Sequence, residues 1–391
     1  MFGELWTEVG NVRAMASGMS TPRPFLSEVK PLVIVSSADD NYFDGLMGSM
    51  LSALWSTDHK GLVKLIVLDP GLSPANRETL SQSINFVARR RRLHAECTFI
   101  PIATTEFVKL PGLRGENKIT YARLLLPELL SEDSCVWIDS DMLIFKDLAK
   151  LPELGLHLIG GCRDTGVKYL KNDHVYNEDR DNPEVYLNAG FLKMNLKVMR
   201  DEDFTSRIVH FMTEEADNLR FHDQSALNTY CKGRKKILQP NYNYLCAPWY
   251  RDNEEVVKMV AVANIHYLGG DKPWMNSQRL SCLTRNVLFY HTMEILLDRD
   301  FSEDLKRVRN QCPKSQLVEQ IKGLLHQKAT GQQEGTEDRF QSMRELIHVH
   351  TGRYEKELLA RLKPWKSKER FSGHTASVID FQGSAQTAQA V

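Results

Sequence analysis

Two aspartates one residue apart, Asp139 and Asp141, close an apolar run that reads Val136-Trp137-Ile138-Asp139-Ser140-Asp141-Met142-Leu143-Ile144-Phe145. Carboxylates at that spacing can give oxygens to one hard cation. Mn²⁺ or Mg²⁺ suits, since each accepts few carboxylates and keeps positions for phosphate oxygens. The triplet alone says little, because the same pattern recurs at Asp179–Asp181, Asp201–Asp203 and Asp298–Asp300, all in polar segments where a solvated surface pair accounts for it. Asp139 and Asp141 differ in having apolar residues on both sides. Uncompensated carboxylates there carry a desolvation cost that something positive must offset. A bound cation would do so, and so would a nearby arginine or lysine.

Other residues have types that chemistry uses. His266 ends an apolar stretch, and Lys272 follows through a Gly269-Gly270 turn. A neutral imidazole is a good ligand for a divalent metal, and a lysine meets phosphate as a point charge. The competing reading of His266 is a satisfied core histidine. Asp39 and Asn41 follow the first apolar strand, where short polar side chains hydrogen-bond a base or ribose, or simply cap a turn. Arg123 falls on a predicted helix, a position that more often faces solvent. Asp223 reads as the cap of a helix that contains Gln224.

The elements that must position these residues alternate. Short β-branched runs predict strands at 31–36, 62–68, 97–102, 135–138, 156–159, 191–194 and 263–267, with helices at 43–55, from the Ser73-Pro74 cap onward, and at 121–130. That rhythm predicts an α/β sheet covered by helices on both faces, with ligands beyond the carboxyl ends of the strands. After Met275 only helical patterns remain, at 287–297, 315–326, 340–348 and 354–362, with a linker-like stretch at 329–336. The expected organisation is an N-terminal arm (1–30), a catalytic domain (31–275), a helical C-terminal region (276–371) and a disordered tail (372–391).

The 391 residues hold 50 Lys plus Arg against 50 Asp plus Glu, so no net field favours nucleic acid, and none is expected as a partner. Seven scattered cysteines without a C-x-x-C pair predict free thiols in a reducing compartment. With no leader-like start and no bilayer-length apolar stretch, a cytoplasmic, soluble protein is the expectation. Two basic runs, Arg89–Arg92 and Lys363–Arg370 with Trp365 inside it, leave peripheral membrane contact as an alternative to solvated helix ends. Oligomerisation through the C-terminal helices, as a homo-oligomer, is left open.

Taken in order, several segments between Pro31 and Trp274 resemble glycosyltransferase family 8, the retaining group that contains glycogenin and the bacterial lipopolysaccharide galactosyl- and glucosyltransferases. They are Ser37-Ala-Asp39-Asp40-Asn41-Tyr42, Val67-Leu-Asp69-Pro-Gly-Leu-Ser-Pro-Ala-Asn76, Thr120-Tyr-Ala-Arg123-Leu, the Asp139/Asp141 strand, Leu187-Asn188-Ala189-Gly190-Phe, Asp223-Gln224-Ser-Ala-Leu-Asn228 and His266-Tyr-Leu-Gly269-Gly-Asp-Lys272-Pro-Trp274. The resemblance implies a GT-A fold, a Rossmann-like mixed sheet flanked by helices, here with a C-terminal helical extension outside the family pattern. It implies a UDP-sugar donor (glucose or galactose) and a saccharide or lipid-linked glycan acceptor. Asp139, Asp141 and His266 would hold the metal, with Lys272 and Gly269 at the diphosphate and Ser140 beside the substrate. Ser37 and Asp39 would meet uracil, Asn41 the ribose, and Arg123 the donor sugar or phosphate. Asp164, Asn188, Ala189, Gly190, Asp223 and Gln224 would line the transferred sugar, whose hydroxyls require carboxylate and amide partners. Gln224 would lie beneath the anomeric carbon, with Asp223 as the alternative. An amide is a poor nucleophile, which favours same-face attack over a double displacement. Two rival readings are a metal-dependent phosphoesterase and a nucleotide-sugar-binding module without transfer.

Overall fold

The computed structural model describes residues 29–102, 119–165, 186–246, 252–275, 283–310, 318–319, 322, 326, 347–348 and 351–369. The chain divides into two units, Met1–Lys30 and Pro31–Val391, and the second is the subject here. The expected arm up to 28, the linker at 329–336, the tail at 372–391 and most of the helices expected at 315–326 and 340–348 lie outside the described residues.

The strands are β1 (Leu32–Ser37), β2 (Leu62–Asp69), β3 (His94–Pro101), β4 (Cys135–Ile138), β5 (Met142–Leu143), β6 (Ile159–Arg163), β7 (Leu187–Met194), β8 (Lys235–Ile237), β9 (Tyr244–Cys246) and β10 (Ile265–Tyr267). The helices are α1 (Phe43–Ser56), α2 (Pro74–Arg91), α3 (Leu126–Leu129), α4 (Leu196–Asp201), α5 (Phe204–Glu214), α6 (His222–Tyr230), α7 (Asp252–Met259), α8 (Leu283–Leu297), α9 (Ser302–Asn310) and α10 (Arg353–Lys366). A seven-stranded sheet runs β3-β2-β1-β4-β7-β6-β8, with β1 parallel to both β2 and β4 and with β7 antiparallel to β4 and β6. Strand order reverses between β1 and β4, which opens a crevice at their carboxyl ends. A second, three-stranded sheet, β5-β10-β9, grows from the chain just after Asp141.

The continuous apolar run of β1 has a physical reason, since all six of its residues are buried. Leu32 and Ile34 enter the core on one face, Val33 and Val35 that on the other, as the two-residue period of a strand requires. On the first face α1, buried at every position but Asp44, is covered by α8, and Trp365 of α10 packs on its Trp55. Ser73 caps α2 through its hydroxyl, with Pro74 next, as expected.

Several expectations shift. The strand expected at 156–159 starts at Ile159, because Leu156 sits in a turn and is 82% exposed. The helix expected at 121–130 is a 3-10 segment, Ile119–Leu125, followed by a single α turn, and it buries Arg123 instead of exposing it. Of the run Arg89–Arg92, Arg90 and Arg91 are buried. Arg90 lies over the Trp55 ring at 4.7 Å and pairs with Glu369, while Arg91 donates to the carbonyls of Trp55, Thr57 and Lys368. Arg91 thus satisfies carbonyls at or just past the ends of α1 and α10, and Arg90 donates to those of Ile295 and Leu296 at the end of α8, so half the basic run is internal structure. Trp365 is likewise withdrawn. It packs on Trp55 and Phe145, gives its indole N–H to Ser56 Oγ at 2.9 Å, and accepts from Trp55 through its carbonyl. The five described cysteines are free, and among the described residues no helix is long and apolar enough to cross a membrane.

Candidate active site

A cavity of about 380 Å³ opens where β1 and β4 end. Six expected residues line it, namely Ser37, Asp39, Arg123, Asp139, Ser140 and Asp141, together with Tyr42, Thr120 and Trp137, which the sequence did not single out. Asp39 also caps the turn that follows β1, accepting the Tyr42 N–H, so both readings of it hold together. Asn41 is exposed and donates to Asp39 at 3.2 Å. The Ser37 hydroxyl donates to Leu68 O on β2.

Register brings the third residue to the aspartates. β10 pairs antiparallel with β5 so that His266 stands opposite Met142, one residue past Asp141. Asp139, Asp141 and His266 then offer ligand atoms that all lie within 4.8 Å of one another. His266 Nε2 is 3.2 Å from Asp141 Oδ1, a buried carboxylate oxygen. Gly190 on β7 makes the approach possible, since a Cβ there would come within 2.3 Å of His266 Cε1. The turn after β10 needs Gly269 for its positive φ of 80°.

The neutralising partners that the sequence left as the alternative are present too. Arg123 pairs with Asp139 at 3.1 Å and lies 4.7 Å over the Trp137 ring, whose indole N–H also donates to Asp139 Oδ1 at 2.7 Å. Lys272, buried, reaches Asp141 Oδ2 at 2.5 Å. Each aspartate thus has one oxygen engaged by a cationic side chain. Burial by itself would raise Asp141, but attraction to Lys272 and His266 outweighs it and holds the carboxyl well below the usual carboxylate range. Asp139, Asp141 and His266 bring two carboxylates and an imidazole nitrogen to one point, a donor set that fits a divalent metal with oxygen and nitrogen ligands.

Beside this group lies an amide cluster. Gln224 Oε1 accepts the Ala189 N–H at 3.0 Å, and Gln224 Nε2 and Asn188 Nδ2 both donate to Asp164 Oδ2. Asn188 Oδ1 accepts the Gly190 N–H and the side-chain amide of Asn243, which in turn faces His266 Nδ1 at 3.1 Å. Asn243 was not anticipated. Its only sequence signal is the Asn241-Tyr242-Asn243 stretch after Pro240. Asp223 is not the cap of α6; that place belongs to Phe221, and His222 opens the helix at φ 48°. Asp223 is instead buried against Arg123 Nε at 3.2 Å. Burial pushes its carboxyl up to about 6, Arg123 opposing and Asp139 adding to the shift. Every expected site residue named above except Asn41 is thus either on the cavity wall or in the two clusters and turn beside it.

Comparison with known proteins agrees with this geometry. Residues 33–278 match the family model for glycosyl transferase family 8. General stress protein A of Bacillus subtilis (strain 168) is 26% identical over 268 residues, covering 63% of this chain and 88% of that protein. Glycosyltransferase GlyE of Streptococcus pneumoniae is 28% identical over 209 residues, covering 51% of this chain and 47% of that one. Among solved structures, galactosyltransferase LgtC in complex with donor and acceptor sugar analogs superposes with a TM-score of 0.55 at 24% identity, covering 71% of this chain and all of that one, and so shares the GT-A fold. The matched span holds the crevice, the aspartates, His266 and Lys272, and the chain belongs to glycosyl transferase family 8.

Proposed function

We propose that this glycosyltransferase is a metal-dependent, retaining hexosyltransferase that moves glucose or galactose from a UDP-sugar to a saccharide or lipid-linked glycan. The observation that carries the reading is the convergence of Asp139, Asp141 and His266 at the reversal of strand order, with ligand atoms all within 4.8 Å of one another. Mn²⁺ or Mg²⁺ held there would supply positive charge beside the departing diphosphate. Ser37 and Asp39 at the end of β1 are the uracil contacts, with Asn41 beside them for the ribose. Lys272, buried at the mouth of the Gly269 turn, is the fixed charge for the diphosphate, and Ser140 lies between the two acidic ligands on the cavity wall.

Arg123 faces the cavity while Asp223 and Asp139 hold its guanidinium, which suits it to a sugar or phosphate oxygen. Asp164, Asn188, Ala189, Gly190 and Gln224 form the sugar side. Gln224 has its oxygen on the Ala189 N–H and its nitrogen on Asp164, so it presents a fixed amide rather than a nucleophile. Asp223, buried and paired, is better suited to holding Arg123 than to attacking carbon. Both facts favour same-face attack with the leaving phosphate as the base. The test is slow hydrolysis of a panel of UDP-sugars without acceptor, each with and without Mn²⁺. A preference for one hexose that depends on metal is expected, and uniform metal-independent turnover would refute the reading. Trapping a glycosyl adduct on Asp223 would overturn the same-face route.

A further inference from the structure

The amide cluster has only one consistent direction, and two backbone groups set it. Backbone N–H groups can only donate, so Gln224 Oε1 under the Ala189 N–H and Asn188 Oδ1 under the Gly190 N–H are oxygens by necessity. Asn188 therefore turns its NH2 toward Asp164 and Gln224 Oε1, both acceptors. Its oxygen, 2.9 Å from the Asn243 side chain, requires the NH2 of Asn243 on that side. The remaining end of Asn243 is then its oxygen, and it faces His266 Nδ1 at 3.1 Å. An oxygen there can only accept, so His266 meets it with a proton on Nδ1. Nε2 is left facing Asp141 Oδ1 at 3.2 Å, the oxygen with which it would share the cation.

Asn188, Asn243 and His266 are all buried. The backbone around Asn243 is also held. β9 begins at the next residue and pairs with β10, while the Asn264 side chain donates to Tyr242 O at 2.9 Å.

We propose that Asn243 is a positioning residue. It locks His266 in the Nδ1–H tautomer, with Nε2 presented to the cation, and joins that ligand through Asn188 to Gln224 on the sugar side. The inference rests on the metal reading above.

The test uses the full chain labelled with ¹⁵N-histidine, with His266 assigned by the His266→Ala variant. In metal-free protein Nδ1 of His266 is expected to carry a proton held in a hydrogen bond to Asn243. In Asn243→Ala the tautomers mix, and Mn²⁺ affinity measured by calorimetry falls by about 10–100-fold. Saturating Mn²⁺ restores much of the turnover of this variant, whereas it does not restore Gln224→Ala. Asn243→Asp keeps an acceptor on Nδ1 but loses the donor that Asn188 Oδ1 requires, so it is expected to break the link to Asn188 while retaining more Mn²⁺ affinity than Asn243→Ala. A folded Asn243→Ala with wild-type tautomer and Mn²⁺ affinity overturns the proposal. So does an Asn243→Asp chain that loses Mn²⁺ as fully as His266→Ala. A wild-type chain that binds no Mn²⁺ overturns the metal reading instead, and the tautomer spectra then decide the role of Asn243 alone.

Discussion

Replacing Gly190 with alanine is expected to remove metal binding while leaving the protein folded. Gly190 is not at a positive φ, so its backbone accepts alanine and only the new methyl matters. That methyl would stand 2.3 Å from His266 Cε1 and 2.9 Å from both His266 Nδ1 and Asp139 Oδ2. Restoring an ordinary carbon–carbon contact of about 3.5 Å requires the ring to retreat by roughly 1.2 Å. The ring has little room to do so, because β10 is paired on both edges and Nδ1 is tied to Asn243. Metal–ligand distances tolerate only about 0.2 Å, so the shift is several times what a site can absorb. The Mn²⁺ Kd should rise by about 100-fold or more, equivalent to about 2.7 kcal/mol. Overpacking should cost about 1–3 kcal/mol of folding stability, a fall of several degrees in Tm. Calorimetric titration with Mn²⁺, thermal unfolding without metal and UDP-sugar turnover measure the three quantities. An alanine variant with wild-type Mn²⁺ affinity would refute the reasoning, because the three ligands would then not be held as close as the geometry requires.

Asp141→Asn should abolish transfer and also destabilise the fold by about 3–5 kcal/mol, since it leaves the Lys272 ammonium buried without its charge partner. His266→Ala should abolish transfer at a smaller cost in urea unfolding, and equal costs would contradict the pairing. A second pH-sensitive group ties α8 to α9 and α10. His291 lies 2.6 Å from Glu294 and 2.8 Å from Glu355, which Arg309 also engages. Burial lowers the His291 pKa, but the hydrogen bonds its ring gives to Glu355 and Glu294 prevail and raise it, while His291 and Arg309 together hold Glu355 at about 2. The raised His291 stabilises fully below its unfolded pKa of about 6.5 and loses that contribution as pH rises through its folded value. The depressed Glu355 stabilises above about 4.5 and loses its contribution as pH falls toward 2. Wild-type stability should therefore decline above pH 6.5 relative to His291→Gln, and parallel curves would exclude the coupling. Finally, with Arg90 and Arg91 internal, the Arg89→Glu/Arg92→Glu variant should sediment with anionic liposomes as the wild type does. A sharp drop would restore the lipid-facing reading of that run.

Local pattern made much of this protein legible in the sequence. The β-branched run of β1, the Ser73-Pro74 cap and the aspartates closing an apolar run depend on neighbours in the chain, so residue type and spacing were enough. The order of the motifs from Ser37 to Trp274 carried the family and, with it, most of the candidate residues that the fold gathers around the cavity. Other features had no local signature. Nothing around Arg90, Arg91 or Trp365 distinguishes a buried anchor from a solvated basic face, because their partners on α1 and α10 are brought together only by tertiary packing. Asn243 reads as a turn residue until the parallel pairing of β9 with β10 sets it beside His266. Whether Asp139 and Asp141 meet a cation or an internal base could not be read from their flanks either. The fold supplies both kinds of partner, Arg123 and Lys272 on one oxygen of each aspartate and His266 beside an oxygen left over. Element type follows from short-range sterics and hydrophobic period, whereas the identity of a buried polar partner depends on strand order and register, which only the assembled chain determines.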